Sequence, residues 1–205
     1  MPRLSSATRD QRRLRILDAA RACVDEYGLE AVSMEMIVAR TGMSTGAVYR
    51  YFAGKEDIIR AAVIDGTTGA IDAIEPILTQ APPLPPGPFL TAVLTAVLGY
   101  STSGDTDLTG VAVHGWSHSR SDDTLRAEMC RAQRRLRTGY SAVARHWQAA
   151  GIIDPSVDPA EIGQLLLSLT LGYVAQLALT GDASVQAHAA ALDAFTSVSG
   201  NSRRR

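Results

Sequence analysis

Residues 33–55 read SMEMIVARTGMSTGAVYRYFAGK, and this stretch decides the fold. Ser33 is placed to cap a short helix over Met34–Arg40, with Glu35 in its first turn to favour the helix dipole. Thr41-Gly42-Met43 is a tight connection, and Gly42 supplies a backbone conformation that a side chain would resist. Ser44 is then placed to cap a second short helix, Thr45–Tyr51. Ile37, Val38, Val48 and Phe52 are spaced to pack between the two helices. Two short helices, a tight turn and an apolar seam make a helix-turn-helix.

The second helix of such a unit projects its N-terminal residues outward. Here that end is slim: Thr45, Gly46 and Ala47 leave room for close approach to a groove. Thr45 suits a base edge or a phosphate, Ala47 a thymine methyl, and Tyr49 and Arg50 phosphates or bases. Lys55, the chain's only lysine, stands at the start of the next helix, where charge and free N–H groups together favour a phosphate. Ser33 and Ser44 are caps first and phosphate contacts second. Arg40 and Tyr51 complete the candidate set, with a solvated charge and a core position as their plainer readings.

The segment resembles the DNA-binding domain of the TetR/AcrR family of bacterial transcriptional regulators. The family pattern is close to T-x-x-x-I-A-x-x-A-G-V-S-x-G-x-x-Y-x-Y/H-F-x-x-K-x-x-L. The chain matches it at Ser33, Ile37, Gly42, Ser44, Gly46, Tyr49, Tyr51, Phe52 and Lys55. It departs at Val38 and Thr41, where the family commonly has alanine, and at Thr45, where many relatives carry a basic residue.

Outward from this segment the helical period continues. Ile16, Ala20, Cys23, Val24 and Tyr27 mark one face of a helix over 9–27, ended by Gly28. A helix starts near Lys55 and runs to about Gln80. Residues 81–88, APPLPPGP, are expected to be extended, since five of the eight are proline. Helices follow over Phe89–Tyr100, Leu108–His118, a long one from Asp122 or Asp123 to Ala150, one from Pro159 to Thr180, and one over Ala183–Val198. A loose tail is expected over Ser199–Arg205. No strand pattern persists. The expected fold is all-α with about nine helices: a three-helix helix-turn-helix domain over 1–54 and a helical domain over 55–205.

Composition limits the function classes. The 205 residues are 46% hydrophobic and 20% charged, with a net charge of −1, which is ordinary globular composition. Cys23 and Cys130 lie in no metal or redox spacing, which fits a reducing compartment. The N-terminal MPRLSSATRDQRRLR lacks the apolar stretch of a signal peptide, so a cytoplasmic protein is expected. The most apolar run, Leu165–Leu179, is shorter than the ~20 residues of a membrane span and reads as a buried helix, so no membrane partner is expected.

Residues 89–198 hold no catalytic constellation, and no cofactor or metal is expected. His114 and His118 share a helix face but lack a third ligand. The resemblance implies that this half binds an effector and dimerises. Phe89, Trp116, His118, Met129, Gln133, Tyr140 and Tyr173 are the candidate ligand-lining residues, an apolar and aromatic set with a few polar groups. Leu165, Leu169, Leu192 and Phe195 are the candidate dimer residues on the last two helices. Arg126, Arg131, Arg134, Arg135 and Arg137 read as a solvated face. The function implied is that of a homodimeric repressor, released from a palindromic double-stranded operator by a small, largely apolar ligand. An activator or ligand-independent regulator of the same fold stays open, as does an all-α carrier or enzyme using a C-terminal cavity.

Overall fold

The computed structural model describes residues 6–102 and 106–201; of the expected loose tail, 202–205 lie outside them. Among the described residues there are nine α-helices and no strand: α1 Ser6–Tyr27, α2 Met34–Thr41, α3 Thr45–Val48, α4 Lys55–Leu78, α5 Pro86–Ser101, α6 Leu108–His118, α7 Asp123–Ala149, α8 Pro159–Thr180 and α9 Val185–Asn201.

Local chemistry explains most of the boundaries. Ser33 accepts a hydrogen bond from the Met36 amide at 3.3 Å, the expected cap of α2. Asp107, Asp122 and Asp158 cap α6, α7 and α8 by accepting from Thr109, Leu125 and Ala160 at 2.8, 2.9 and 2.8 Å. Gly28, Gly42, Gly151 and Gly181 adopt positive φ where a helix ends or a turn begins.

Three expectations are corrected. Ser44 makes no side-chain cap bond. Regular helix after it stops at Val48, and 49–51 continue as a turn, with Tyr51 and Phe52 donating to the Val48 carbonyl at 2.9 and 3.3 Å. The proline-rich stretch is extended only in part: α5 begins at Pro86, because a proline in the first helical turn gives up an amide that would have no partner there anyway.

The chain forms two compact units. One comprises Met1–Thr67 with Thr102–Arg126, the other Thr68–Ser101 with Ala127–Arg205. The boundary drawn from the motif, 1–54 against 55–205, follows sequence. The contacts instead give the first unit the start of α4 and the whole of α6.

In the first unit α1 packs on α2 and α6. Its core holds Ile16, Leu17, Ala20, Cys23 and Val24 from α1, Ile37 from α2, Val48 from α3, and Ile58 and Ile59 from α4. Val38, expected in this core, is only half-buried, and Thr41 takes an inner position at 0% exposure. Its hydroxyl is satisfied there: it donates to the Val38 carbonyl at 2.7 Å and accepts from the Met43 amide at 3.0 Å.

In the second unit α5 packs most extensively on α9. Leu90, Leu94, Tyr173 and Val185 form a buried cluster, joined at its edge by Leu169, Leu177 and Leu192. Asp193 on α9 accepts from the Gly87 amide at the start of α5, at 2.7 Å. Close helix approach in this unit depends on missing side chains. A Cβ on Gly163 would lie 2.9 Å from the Arg137 carbonyl oxygen and 3.0 Å from the Ser141 amide nitrogen, which are backbone atoms that cannot step aside.

Gly163→Ala is therefore expected to lower stability by about 1–3 kcal/mol, as overpacking does. Gly99, in α5, has nothing within 4 Å of an added Cβ, and Gly99→Ala is expected to raise stability by about 0.5–1 kcal/mol through helix propensity. Urea unfolding of both variants against the parent chain checks the opposite signs.

Candidate functional site

The exposed ridge of the first unit is built on the turn at Gly42. There φ is 61°, ψ is 18°, and the amide donates to the Ala39 carbonyl at 3.2 Å. This left-handed residue reverses the chain between α2 and α3. Val48 and Phe52, both buried, then anchor the following turn. Fixing those two side chains inward forces their neighbours outward.

Ser44, Thr45, Gly46, Tyr49 and Arg50 are accordingly exposed side by side, and Ala47, Tyr51 and Lys55 are half-buried. Tyr49 is 50% exposed. An added Cβ on Gly46 would meet nothing within 4 Å. Ser44 keeps its hydroxyl uncommitted to a cap. The ridge thus offers two hydroxyls, a phenol and a guanidinium over a slim backbone, the groups that bond phosphates and base edges.

Two of the candidate residues are otherwise engaged. Ser33 is half-buried and spends its oxygen on the Met36 amide. Arg40 forms an ion pair with Glu26 at 2.6 Å. Glu26 in turn is held below the usual carboxylate range by hydrogen bonds from Tyr27 and from Arg40. Both partners face solvent, so the pair adds little to stability.

Sequence reasoning missed the charged links behind the ridge. Arg21 on α1 is buried and paired with Asp65 on α4 at 2.6 Å and Asp18 at 2.9 Å. It also donates to the Ala62 carbonyl at 3.1 Å. Its Nε is buried without a hydrogen-bond partner. Arg13 lies over the Phe52 ring, 5.7 Å from its centroid. Except for Asp18, three residues from Arg21, these partners are tens of residues apart in the chain, so no local pattern signals them.

The candidate ligand residues fall into both units. Trp116 and His118 lie half-buried on α6 in the first. His118, with His114 and Arg21, borders a small, otherwise apolar cavity there. Phe89, Met129, Gln133, Tyr140 and Tyr173 belong to the second unit. Gln133 is exposed, whereas Phe89, Tyr140 and Tyr173 are fully buried and packed. Phe89 meets Tyr140 and Trp147 edge-on at 6.0 and 5.3 Å, and Tyr173 meets His188 at 5.6 Å.

Of the candidate dimer residues, Leu165 and Phe195 are exposed, by 53% and 79%. Leu169 and Leu192 instead turn inward against the buried cluster. Leu179 is a further exposed leucine on α8, at 74%. Among the described residues no group of three His, Cys, Asp or Glu is placed to hold a metal ion. α8 is longer than the apolar run within it. By length and composition alone it could cross a membrane, with a mean hydropathy of 1.6, and one third of that window is buried in the protein.

Residues 16–62 match the model of the bacterial regulatory proteins of the tetR family, and residues 89–197 match the C-terminal model of BetI-type transcriptional repressors. The chain belongs to the TetR family. That family is one of bacterial regulatory proteins, and transcriptional repressors are among the chain's relatives. Over 60 residues it is 40% identical to the transcriptional repressor KstR of Rhodococcus jostii, covering 29% of this chain and 28% of that one. Over 105 residues it is 29% identical to the regulator BetI of Klebsiella pneumoniae, covering 51% of each. These alignments span about half or less of the curated relatives' lengths.

Solved structures agree on the fold along nearly the whole chain. A TetR regulator from Haloarcula marismortui superposes with a TM-score of 0.73 at 18% identity, over 94% of this chain and 98% of that one. A transcriptional regulator from Saccharomonospora viridis, solved in complex with choline, gives 0.73 at 23% identity, over 92% and 96%.

Burial also sets how the TetR-family core responds to alkali. The Tyr140 phenol bonds Thr170 at 3.0 Å, and burial pushes its pKa from 10 up to about 12. The unfolded chain therefore loses this proton first. Stability is unaffected by this group below pH 10 and falls as pH rises from 10 to about 12. Tyr140→Phe is expected to flatten that part of the stability–pH curve, checked by urea unfolding at several alkaline pH values.

Proposed function

We propose that the chain is a homodimeric repressor, released from a palindromic operator by a small, largely apolar ligand. The observation that carries the DNA reading is the exposed ridge of Ser44, Thr45, Gly46, Tyr49 and Arg50, held out by the buried Val48 and Phe52. In this reading Lys55 adds a phosphate contact at the start of α4, and Arg40 reaches phosphate by exchanging Glu26 for it. Residues 1–54 read DNA, and residues 55–205 bind the effector and dimerise. Two such ridges in a dimer would enter successive major grooves, with centres about 34–36 Å apart.

Support for the dimer comes from α8. Leu165, Ser168, Gly172, Ala175 and Leu179 recur at alternating steps of three and four, the spacing of a helix–helix seam. All five are exposed or half-buried, and the three central ones are small enough to let another helix approach. Phe195 adds apolar surface from α9.

Support for an apolar effector is the character of Phe89, Met129, Tyr140 and Tyr173. Choline, seen in the Saccharomonospora viridis structure, is the first charged compound to try. A cation needs an aromatic face, and Phe89, Tyr140 and Trp147 now meet edge to face, so choline would have to part them. Binding would release DNA by favouring a dimer whose ridges are wrongly spaced.

The test is selection of duplexes from a genomic pool by the purified chain, repeated with Tyr49→Ala. The expected outcome is one palindromic site, lost in the variant. Recovery of only salt-sensitive background by the parent chain would refute the reading. Leu165→Glu with Phe195→Glu is expected to yield monomers in sedimentation and to weaken operator binding by at least tenfold.

A further inference from the structure

Asp65 sits on α4, away from the exposed ridge, yet its two carboxylate oxygens serve two arginines of α1. Oδ2 takes Arg21 at 2.6 Å, and Oδ1 takes Arg13 at 3.8 Å. Those arginines are eight positions apart, roughly 12 Å along the helix axis. Two long side chains from separate turns therefore converge on one group. Arg13 passes over the Phe52 ring at 5.7 Å, within the ~6 Å reach of a cation–π contact. Phe52 is buried, and its amide donates to the Val48 carbonyl. It closes the turn that carries Tyr49 and Arg50.

Resting on the DNA reading above, we propose that Asp65 is a positioning residue for operator recognition. By holding Arg13 on Phe52, and α1 to α4 through Arg21, it fixes the turn that presents Tyr49 and Arg50. Without the carboxylate, Arg13 loses its only ion-pair partner among the described residues and is free to leave the ring. Arg21 would keep Asp18, which is largely exposed, and the Ala62 carbonyl, while its Nε stays buried and unpaired.

The experiment has a sign that separates positioning from bulk electrostatics. Asp65→Asn removes a negative charge from a DNA-binding unit. Charge alone predicts tighter binding to every duplex. Positioning predicts at least tenfold weaker binding to the selected duplex, with unselected duplex bound as well as before or better, and Asp65→Glu restoring part of the loss. Circular dichroism and urea unfolding confirm that the variant is folded at the assay temperature.

Arg13→Gln, at a position 43% exposed, serves if Asp65→Asn does not fold. It is expected to weaken binding to the selected duplex while leaving the slope of log affinity against log salt unchanged. A slope reduced by about 0.9 would make Arg13 a phosphate contact and overturn the proposal. Equal or tighter binding of the selected duplex by Asp65→Asn overturns it too, and leaves the DNA reading standing. Failure of the parent chain to select any duplex removes both.

Discussion

The left-handed turn at Gly42 is the constraint on which the presentation of the ridge depends. A non-glycine residue is costly at φ 61°. A Cβ there would also come within 3.1 Å of the guanidinium of Arg15, an exposed side chain that can move aside, so the cost lies in the backbone. Thr41 reinforces the turn from inside: its hydroxyl ties the last turn of α2 to the Met43 amide. With the reversal set, Val48 and Phe52 have one way to reach the core. Every residue between and before them then has its direction decided. The exposure of Tyr49 follows from the burial of its neighbours and needs no contact of its own.

The second unit is held differently. Its helices approach where a side chain is missing. Besides Gly163, an added Cβ would meet the Tyr100 hydroxyl at 2.1 Å from Gly69, and Leu78 at 2.7 Å from Gly139. Contacts this close leave few empty spaces between neighbours, and they make α7 and α8 sensitive to a single methyl group. The aromatic residues fill what remains. Tyr140 brings a polar group into this core and satisfies it: Thr170 donates its single proton to the Leu166 carbonyl at 2.9 Å, which leaves the phenol as donor to Thr170.

Much of this was legible in sequence because caps and turns are local. Ser33, Gly42, Asp158 and Gly151 act within three or four residues of themselves, and their roles follow from residue type. Ser44 shows the limit. The same residue type in the same place leaves its hydroxyl uncommitted, because the helix after it is a single turn. What was not legible is tertiary. Arg21 and Asp65 are 44 positions apart, and nothing near either marks the pair. Buried Arg21 looks in sequence like any other arginine of a basic helix. The candidate dimer residues Leu169 and Leu192 lie half-buried against the cluster that α5 joins, because helix period gives a face but not its direction.

α8 brings these strands of reasoning together. Its composition would suit a lipid environment, yet its details are those of a helix between protein surfaces. Leu166, Leu167, Thr170, Tyr173 and Val174 face inward. The Thr170 oxygen accepts from the buried Tyr140 phenol, a bond that requires α7 alongside. Asp158 and Gly181 close its ends with bonds to Ala160 and Leu177. The opposite stripe alternates by three and four with small residues at its centre. Lipid chains would gain nothing from that regularity, because they adapt to any surface. A second helix would, since knobs need holes at fixed spacing. The apolar excess of α8 is thus best explained by two protein-facing surfaces on one helix, one filled by this chain and the other shaped for its proposed copy.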